Sequence, residues 1–191
     1  VGNFKTTLKN EKEIEEIEHG VIILATGADQ YVPEEYLYNE DSRVITQVEL
    51  EKILSSSLPE FKDKNSISMI QCVGSRNEEH PYCSRICCSD AIKNAIEIKE
   101  IDPKKEVIIF YRDIRTYGFK EKYYRIAREK GILFIRFDEE KPPEIVKNKK
   151  DLVIKLESPK LGEISLKCDL LVLSTGIVAP SEENLSLAKM L

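Results

Sequence analysis

Four of the chain's five cysteines, Cys72, Cys83, Cys87 and Cys88, fall in the stretch Cys-Val-Gly-Ser-Arg-Asn-Glu-Glu-His-Pro-Tyr-Cys-Ser-Arg-Ile-Cys-Cys over 72–88. Four thiolates meeting at one point are the usual protein ligands of a 4Fe–4S cluster, and the same set can hold tetrahedral zinc. Zinc sites favour short Cys-x-x-Cys knuckles, and the chain has none, so the spacing leans to iron and sulfide. Cysteines four apart share a helix face, whereas adjacent ones point about 100° apart on an ideal helix. Cys87 and Cys88 therefore need a turn or a helix start to reach one centre. A following helix N-terminus, with Arg76 and Arg85 nearby, would ease the negative charge. Two other readings stand beside this one: thiols that are merely buried or incidental, and thiol–disulfide chemistry at Cys87–Cys88.

The elements that must position these thiols alternate strictly from residue 66 onward. An apolar run over 67–73 reads as a strand and leads into the cysteine loop. A helix over 90–100 follows, carrying Ala91, Ile92, Ala95, Ile96 and Ile98 on one face. Next come a strand over 107–111, a helix over 120–130 stopped by Gly131, and a strand over 132–137. A hairpin over 152–157 and 163–167 and a last apolar strand over 169–174 complete the series. Strand–helix repeats of this length require right-handed crossovers and a parallel sheet covered on both faces. The fold class is α/β: a Rossmann-like parallel sheet with helices on both faces and β-hairpin additions.

Upstream, 4–8 and 13–18 alternate as a hairpin, and Val21-Ile22-Ile23-Leu24-Ala25 reads as a strand buried on both faces, ending at Gly27. Residues 29–45 read as loop. Thr46 and Glu49 form a capping box for a helix to about Leu54. Pro59 and residues 62–65 form a connector. The expected domains are 1–60, the end of an FAD-type domain; 61–181, an NAD(P)-binding-like Rossmann domain carrying the cysteine loop; and 182–191, the start of a further helix.

Between its first strand and helix, a dinucleotide domain carries Gly-x-Gly-x-x-Gly, whose amides and helix N-terminus hold a pyrophosphate. Here that loop keeps only Gly74 and contains Pro81. An acidic residue about 20 positions further on normally holds the adenosine ribose, and Asp113 stands near that place. NAD(H) binding through Gly74 and Asp113 is thus the alternative function. Cys168 and His19 read as structural, and His80 as a solvated loop histidine.

The chain has 191 residues, a net charge of −5, 41% hydrophobic and 33% charged residues. An acidic balance without a basic stripe argues against a nucleic-acid partner. No apolar run approaches the roughly 18–20 residues that cross a bilayer. Five cysteines without a secretory leader read as ligands or redox thiols in a reducing compartment, hence a cytoplasmic location. The absence of an initial Met suggests a piece of a longer protein.

The segments 21–28 and 171–180, each containing Thr-Gly after an apolar run, resemble the two strand ends that bracket the second nucleotide-binding domain of flavin-dependent pyridine-nucleotide–disulfide oxidoreductases. More specifically, Ile70-Gln71-Cys72-Val73-Gly74-Ser75-Arg76 and Pro81-Tyr82-Cys83-Ser84-Arg85-Ile86-Cys87-Cys88 resemble the flavoprotein component of the CoB–CoM heterodisulfide reductases. The resemblance implies an FAD-carrying, multi-cluster electron-transfer subunit. In it Cys72, Cys83, Cys87 and Cys88 would ligate a 4Fe–4S cluster, with Gly27, Gly74, Asp113 and Gly176 as cofactor-side positions. Partners would be the other reductase subunits and donors of hydrogenase or formate dehydrogenase type. Two departures stand out: no ferredoxin-like cysteine run lies between Phe4 and Gly20, and the FAD fingerprint is absent.

Overall fold

The computed structural model describes residues 2–56, 61–148 and 151–190. They form two compact units, one of residues 30–178 and one of residues 1–29 with 179–191.

The larger unit is built on a five-stranded parallel sheet in the order β4-β11-β5-β6-β7. Its strands are β4 (Val44–Thr46), β5 (Ser66–Val73), β6 (Glu106–Tyr111), β7 (Leu133–Arg136) and β11 (Leu170–Thr175). The connecting helices are α1 (Gln47–Ser56), α2 (Cys87–Ile101) and α3 (Glu121–Glu129). A three-stranded antiparallel sheet of β8 (Glu144–Lys147), β9 (Leu152–Ser158) and β10 (Gly162–Cys168) carries the chain from β7 to β11.

Central parallel strands are buried on both faces, so they read as unbroken apolar runs whose alternate side chains serve two cores. Ile67, Met69, Val107, Ile109, Leu170 and Val172 pack with Leu50, Ala91, Ile92, Ala95 and Ile98 of the helices. Their neighbours Ile70, Ile108, Phe110, Leu171 and Leu173 pack with Leu152, Ile154 and Leu156 of the antiparallel layer. The Rossmann-like parallel sheet is therefore present and both its faces are covered. Helices take one face, and sheet takes the other.

Most expected elements recur with small shifts at their ends. α1 begins at the capping box: Thr46 N–H donates to Glu49 Oε2 (2.7 Å) and Glu49 N–H to Thr46 Oγ1 (3.4 Å). Four strands lie where the sequence predicts none: β3 (Asp29–Gln30) and β4 within the supposed loop 29–45, β8 just after Pro142-Pro143, and β12 (Ile177–Val178) after β11. β4 pairs with β11 and joins the parallel sheet, and the compact unit that contains it runs from Gln30 to Val178. Residues 57–60, the Pro59 part of the expected connector, lie outside the described residues.

In the smaller unit β1 (Phe4–Lys9) pairs antiparallel with β2 (Ile14–His19). The Asn10 side chain closes the turn, accepting the N–H groups of Lys12 and Glu13 at 2.8 Å each. His19 is structural, bonded to Thr6 Oγ1 at 2.7 Å and stacked on Phe4. The strand expected over 21–25 is not formed: Val21, Ile23 and Leu24 are exposed and adopt no regular structure. A two-face-buried strand needs a strand on each side and layers above and below. Among the described residues this unit offers only one hairpin and α4 (Ser181–Ala188).

Candidate functional site

The chain leaves β5 towards β6 and returns through the antiparallel layer to β11, on the other side of β5. Doubly wound sheets bind their ligands at the carboxyl ends of the strands flanking such a reversal, here β5 and β11. The cysteine loop lies there. Beneath it a buried polar cluster ties four elements together. Gln47 and Gln71 amides donate to Ser174 Oγ (3.0 and 2.7 Å), and Asn94 donates to Gln47 Oε1 (2.8 Å). These three bonds link the ends of β5 and β11 to α1 and α2 below the site, while Gln71 Oε1 and Asn94 Oδ1 are buried without a partner among the described residues.

Cys72 lies near the end of β5 in the left-handed region, with φ +66°. Gly74, Arg76 and Arg85 are left-handed as well. Non-glycine residues in this region each cost roughly 1–3 kcal/mol and collect at functional sites. The register between β5 and β11 slips beside them, at Leu173 to Thr175. Loop 75–84 is then cross-tied. Arg76 N–H donates to the carbonyls of His80 (2.7 Å) and Tyr82 (3.1 Å), Ser75 Oγ–H to the Tyr82 carbonyl (3.0 Å), and Ile177 N–H to Ser84 Oγ (2.9 Å).

α2 starts at Cys87, so Cys87 and Cys88 occupy its first turn, the helix start that two adjacent ligands require. The Cys87 thiol donates to the Thr175 carbonyl (3.2 Å) and the Cys88 thiol to the Asp113 carbonyl (3.7 Å). Burial, then the nearby Cys72 and Cys88 thiols, pushes Cys87 up to about 12. Cys88 is raised too, by burial first and then by Cys72 and Cys83, against the Arg115 backbone bond. Cys72, Cys83, Cys87 and Cys88 thus lie within one another's electrostatic reach at one end of the sheet. All are free thiols. Among the described residues no three His, Cys, Asp or Glu side chains are arranged to hold a metal ion as they stand. Cys168 sits elsewhere, buried in the antiparallel layer and pushed up to about 11 by burial.

Gly74 is buried under the Tyr31 ring: a Cβ there would lie 2.0 Å from Tyr31 Cδ1. Gly176 lets β11 pass the loop, since a Cβ would lie 2.9 Å from Ser75 Cβ and 3.1 Å from the Gly74 carbonyl oxygen. Gly27, by contrast, is an exposed residue of the smaller unit, in open space. Asp113 follows β6 and pairs with Arg76 (2.8 Å), Arg115 (3.6 Å) and Arg136 (4.0 Å). Its carboxyl is lowered, because the arginines outweigh the opposing effect of burial. Arg112 reaches across to the Ser75 and Arg76 carbonyls at 2.8 and 3.0 Å. His80 is half-buried between the rings of Tyr31 and Tyr82, instead of being a freely solvated loop residue.

Tyr31, Arg112, Arg115 and Arg136 carry no signal in the sequence that marks them as site residues. Tyr31 is distant in sequence from the glycine it covers. The arginines lie in or after strands β6 and β7, and only the sheet order brings them to the loop.

The fold defines a class: a Rossmann-like α/β domain. The reduced form of ornithine hydroxylase from Pseudomonas aeruginosa superposes with a TM-score of 0.51 at 11% identity, over 94% of this chain and 51% of that one. No protein-family model matches the chain. In sequence it is similar to the iron-sulfur subunit of heterodisulfide reductases. It is 42% identical to the iron-sulfur subunit of this type in the CoB–CoM heterodisulfide reductase of Methanocaldococcus jannaschii, over 90% of this chain and 28% of that protein. It is 39% identical to the matching component of the H2:CoB-CoM heterodisulfide,ferredoxin reductase of Methanothermobacter marburgensis, over 91% and 29%. The matching component of the H2/formate:CoB-CoM heterodisulfide,ferredoxin reductase of Methanococcus maripaludis gives 39%, over 92% and 29%. The chain spans less than a third of the length of these relatives.

Proposed function

We propose that the larger unit is an electron-transfer domain of a heterodisulfide reductase-like flavin and iron–sulfur oxidoreductase, holding a 4Fe–4S cluster through Cys72, Cys83, Cys87 and Cys88. The observation that carries this is the donor set: four free thiols on the end of β5, the loop after it and the first turn of α2, on a backbone strained at Cys72, Arg76 and Arg85. The donor set fits a cluster in kind: thiols only, the first turn of α2 behind two of them, and arginines to offset negative charge. Among the described residues the thiols are not gathered into a metal-holding arrangement, so the reading rests on the chemistry of the donor set. A cluster bound here supplies one-electron transfer. The chain's residues contribute the thiols, the burial and the compensating charge.

The relatives' names supply the wider setting. They give H2, formate and ferredoxin beside the heterodisulfide; on our reading the whole protein carries FAD and works in the cytoplasm with other reductase subunits and with donors of these types. The smaller unit is then the end of the FAD-type domain. Among the described residues no helix is long and apolar enough to cross a membrane.

Two features weigh against NAD(H). The Tyr31 ring occupies the space over Gly74 that a pyrophosphate needs, and Asp113, the ribose candidate, is committed to three arginines. Iron and acid-labile sulfide analysis of anaerobically reconstituted protein tests the proposal. About four of each per chain are expected. Zinc without sulfide, or no metal, overturns it. Millimolar NADH should leave the melting temperature unchanged, since specific binding stabilises by mass action.

A further inference from the structure

Arg76 is held more tightly than a loop arginine has reason to be. Its backbone is left-handed, with φ +60°. Its N–H is shared by the His80 and Tyr82 carbonyls, and its own carbonyl accepts from Arg112 Nη1 at 3.0 Å. Its side chain is clamped by Asp113, which accepts from Nη2 at 2.8 Å. Yet the other arm of the fork, Nη1, is buried and has no hydrogen-bond partner. Buried donors are nearly always satisfied, so an orphan of this kind asks for an explanation. Beside Asp113, the Cys72 side chain is the other acceptor within interaction reach of this guanidinium.

Asp113 joins both sides of the site. Its carboxylate fixes Arg76, with Arg115 and Arg136 behind, and its backbone carbonyl accepts from the Cys88 thiol. The planar fork of arginine suits a bridge between an acid and a second acceptor, which the point charge of lysine does not.

We infer that Arg76 sets the reduction potential of this site. Its free Nη1–H donates to the Cys72 sulfur when a cluster is bound, and Asp113 is the positioning residue that aims it. The inference rests on the cluster reading above. Hydrogen bonds to ligand sulfur and nearby positive charge stabilise the reduced, more negative state and raise the potential. The acid after β6, in the place where dinucleotide folds hold a ribose, here serves the arginine instead.

The test is an anaerobic, EPR-monitored redox titration of the full chain reconstituted with iron and sulfide, as wild type, R76M, R76K and D113N. R76M should disfavour reduction about tenfold, a fall of about 59 mV for one electron. R76K keeps the charge but loses the fork, and D113N loosens the aim; each should shift the equilibrium about two- to threefold in the same direction. An exchangeable-proton coupling of the reduced cluster, present in the wild type, should vanish in R76M. Iron content should stay at the wild-type level, and if R76M alone fails to hold iron, R76K and D113N decide. A wild type that binds a cluster, with R76K and D113N both within about 1.3-fold of its equilibrium, overturns the inference and leaves the cluster reading standing. A wild type that binds none overturns both.

Discussion

Substituting Gly74→Ala measures two physical costs at one atom, and the structure says how to separate them. Gly74 has φ +63°, a left-handed conformation that costs a residue with a Cβ roughly 1–2 kcal/mol. The added Cβ would also lie 2.0–2.4 Å from Cδ1, Cε1 and Cγ of the Tyr31 ring. A contact that close cannot persist, and because Cγ is involved the whole ring must swing away. Overpacking of this kind costs roughly 1–3 kcal/mol. The predicted loss for G74A is therefore about 2–5 kcal/mol. In a Tyr31→Ala background the second part disappears, and G74A should cost only the left-handed strain, about 1–2 kcal/mol. The assay is urea unfolding of wild type, G74A, Y31A and the double variant without metal, with constant slopes required for comparison. The coupling between the two sites should be about 1–3 kcal/mol. Equal costs of G74A in the two backgrounds would show that Tyr31 does not cap Gly74, and the steric case against a pyrophosphate there would fall with it.

Two further outcomes follow from charge and burial. In metal-free protein the thiolate is the species that alkylates, and Cys87 is pushed up to about 12 by burial; its labelling rate should therefore keep rising with pH above about 9, and a plateau below about pH 10 contradicts the burial. Because the folded pKa lies above the unfolded one, near 9, the unfolded chain ionises first and Cys87 should lower stability between pH 9 and 12, a loss that urea melts of wild type but not of C87A should show. Asp41, with a nearly buried carboxylate, holds Arg43 at 2.8 Å and Lys147 at 3.2 Å. D41N should cost about 2–3 kcal/mol at neutral pH, somewhat below the usual figure for a broken buried pair because Arg43 is partly exposed. The Arg43 bond lowers the folded pKa, so this stability is present above the unfolded value, roughly 3.9, and is lost as pH falls through the folded one. The gap between wild type and D41N should narrow in acid and stay constant between about pH 6 and 8.

The sequence made the parallel sheet legible because buried strands such as 67–73 and 169–174 are unbroken apolar runs between helical patterns. The same signal misled at 21–25, where five apolar residues have no sheet to join among the described residues. β4 is three residues long and β8 follows two prolines, so neither leaves a pattern to count. The angle between adjacent side chains asked for a turn or a helix start at Cys87 and Cys88, and the apolar face put the helix from residue 90; α2 begins three residues earlier, at Cys87. The left-handed turn at Cys72 and the Arg76–Asp113 clamp had no such signal. They depend on strand order, which places β5 beside β6, and on a loop whose hydrogen bonds are local to the folded site.

The most direct test of the central claim is cluster content across single Cys→Ser variants, measured as iron and sulfide per chain after identical anaerobic reconstitution. C72S, C83S, C87S and C88S should each lose most of the cluster, while C168S, whose thiol lies in the antiparallel layer, should keep it. Full cluster content in all four site variants, or loss only in C168S, would contradict the assignment.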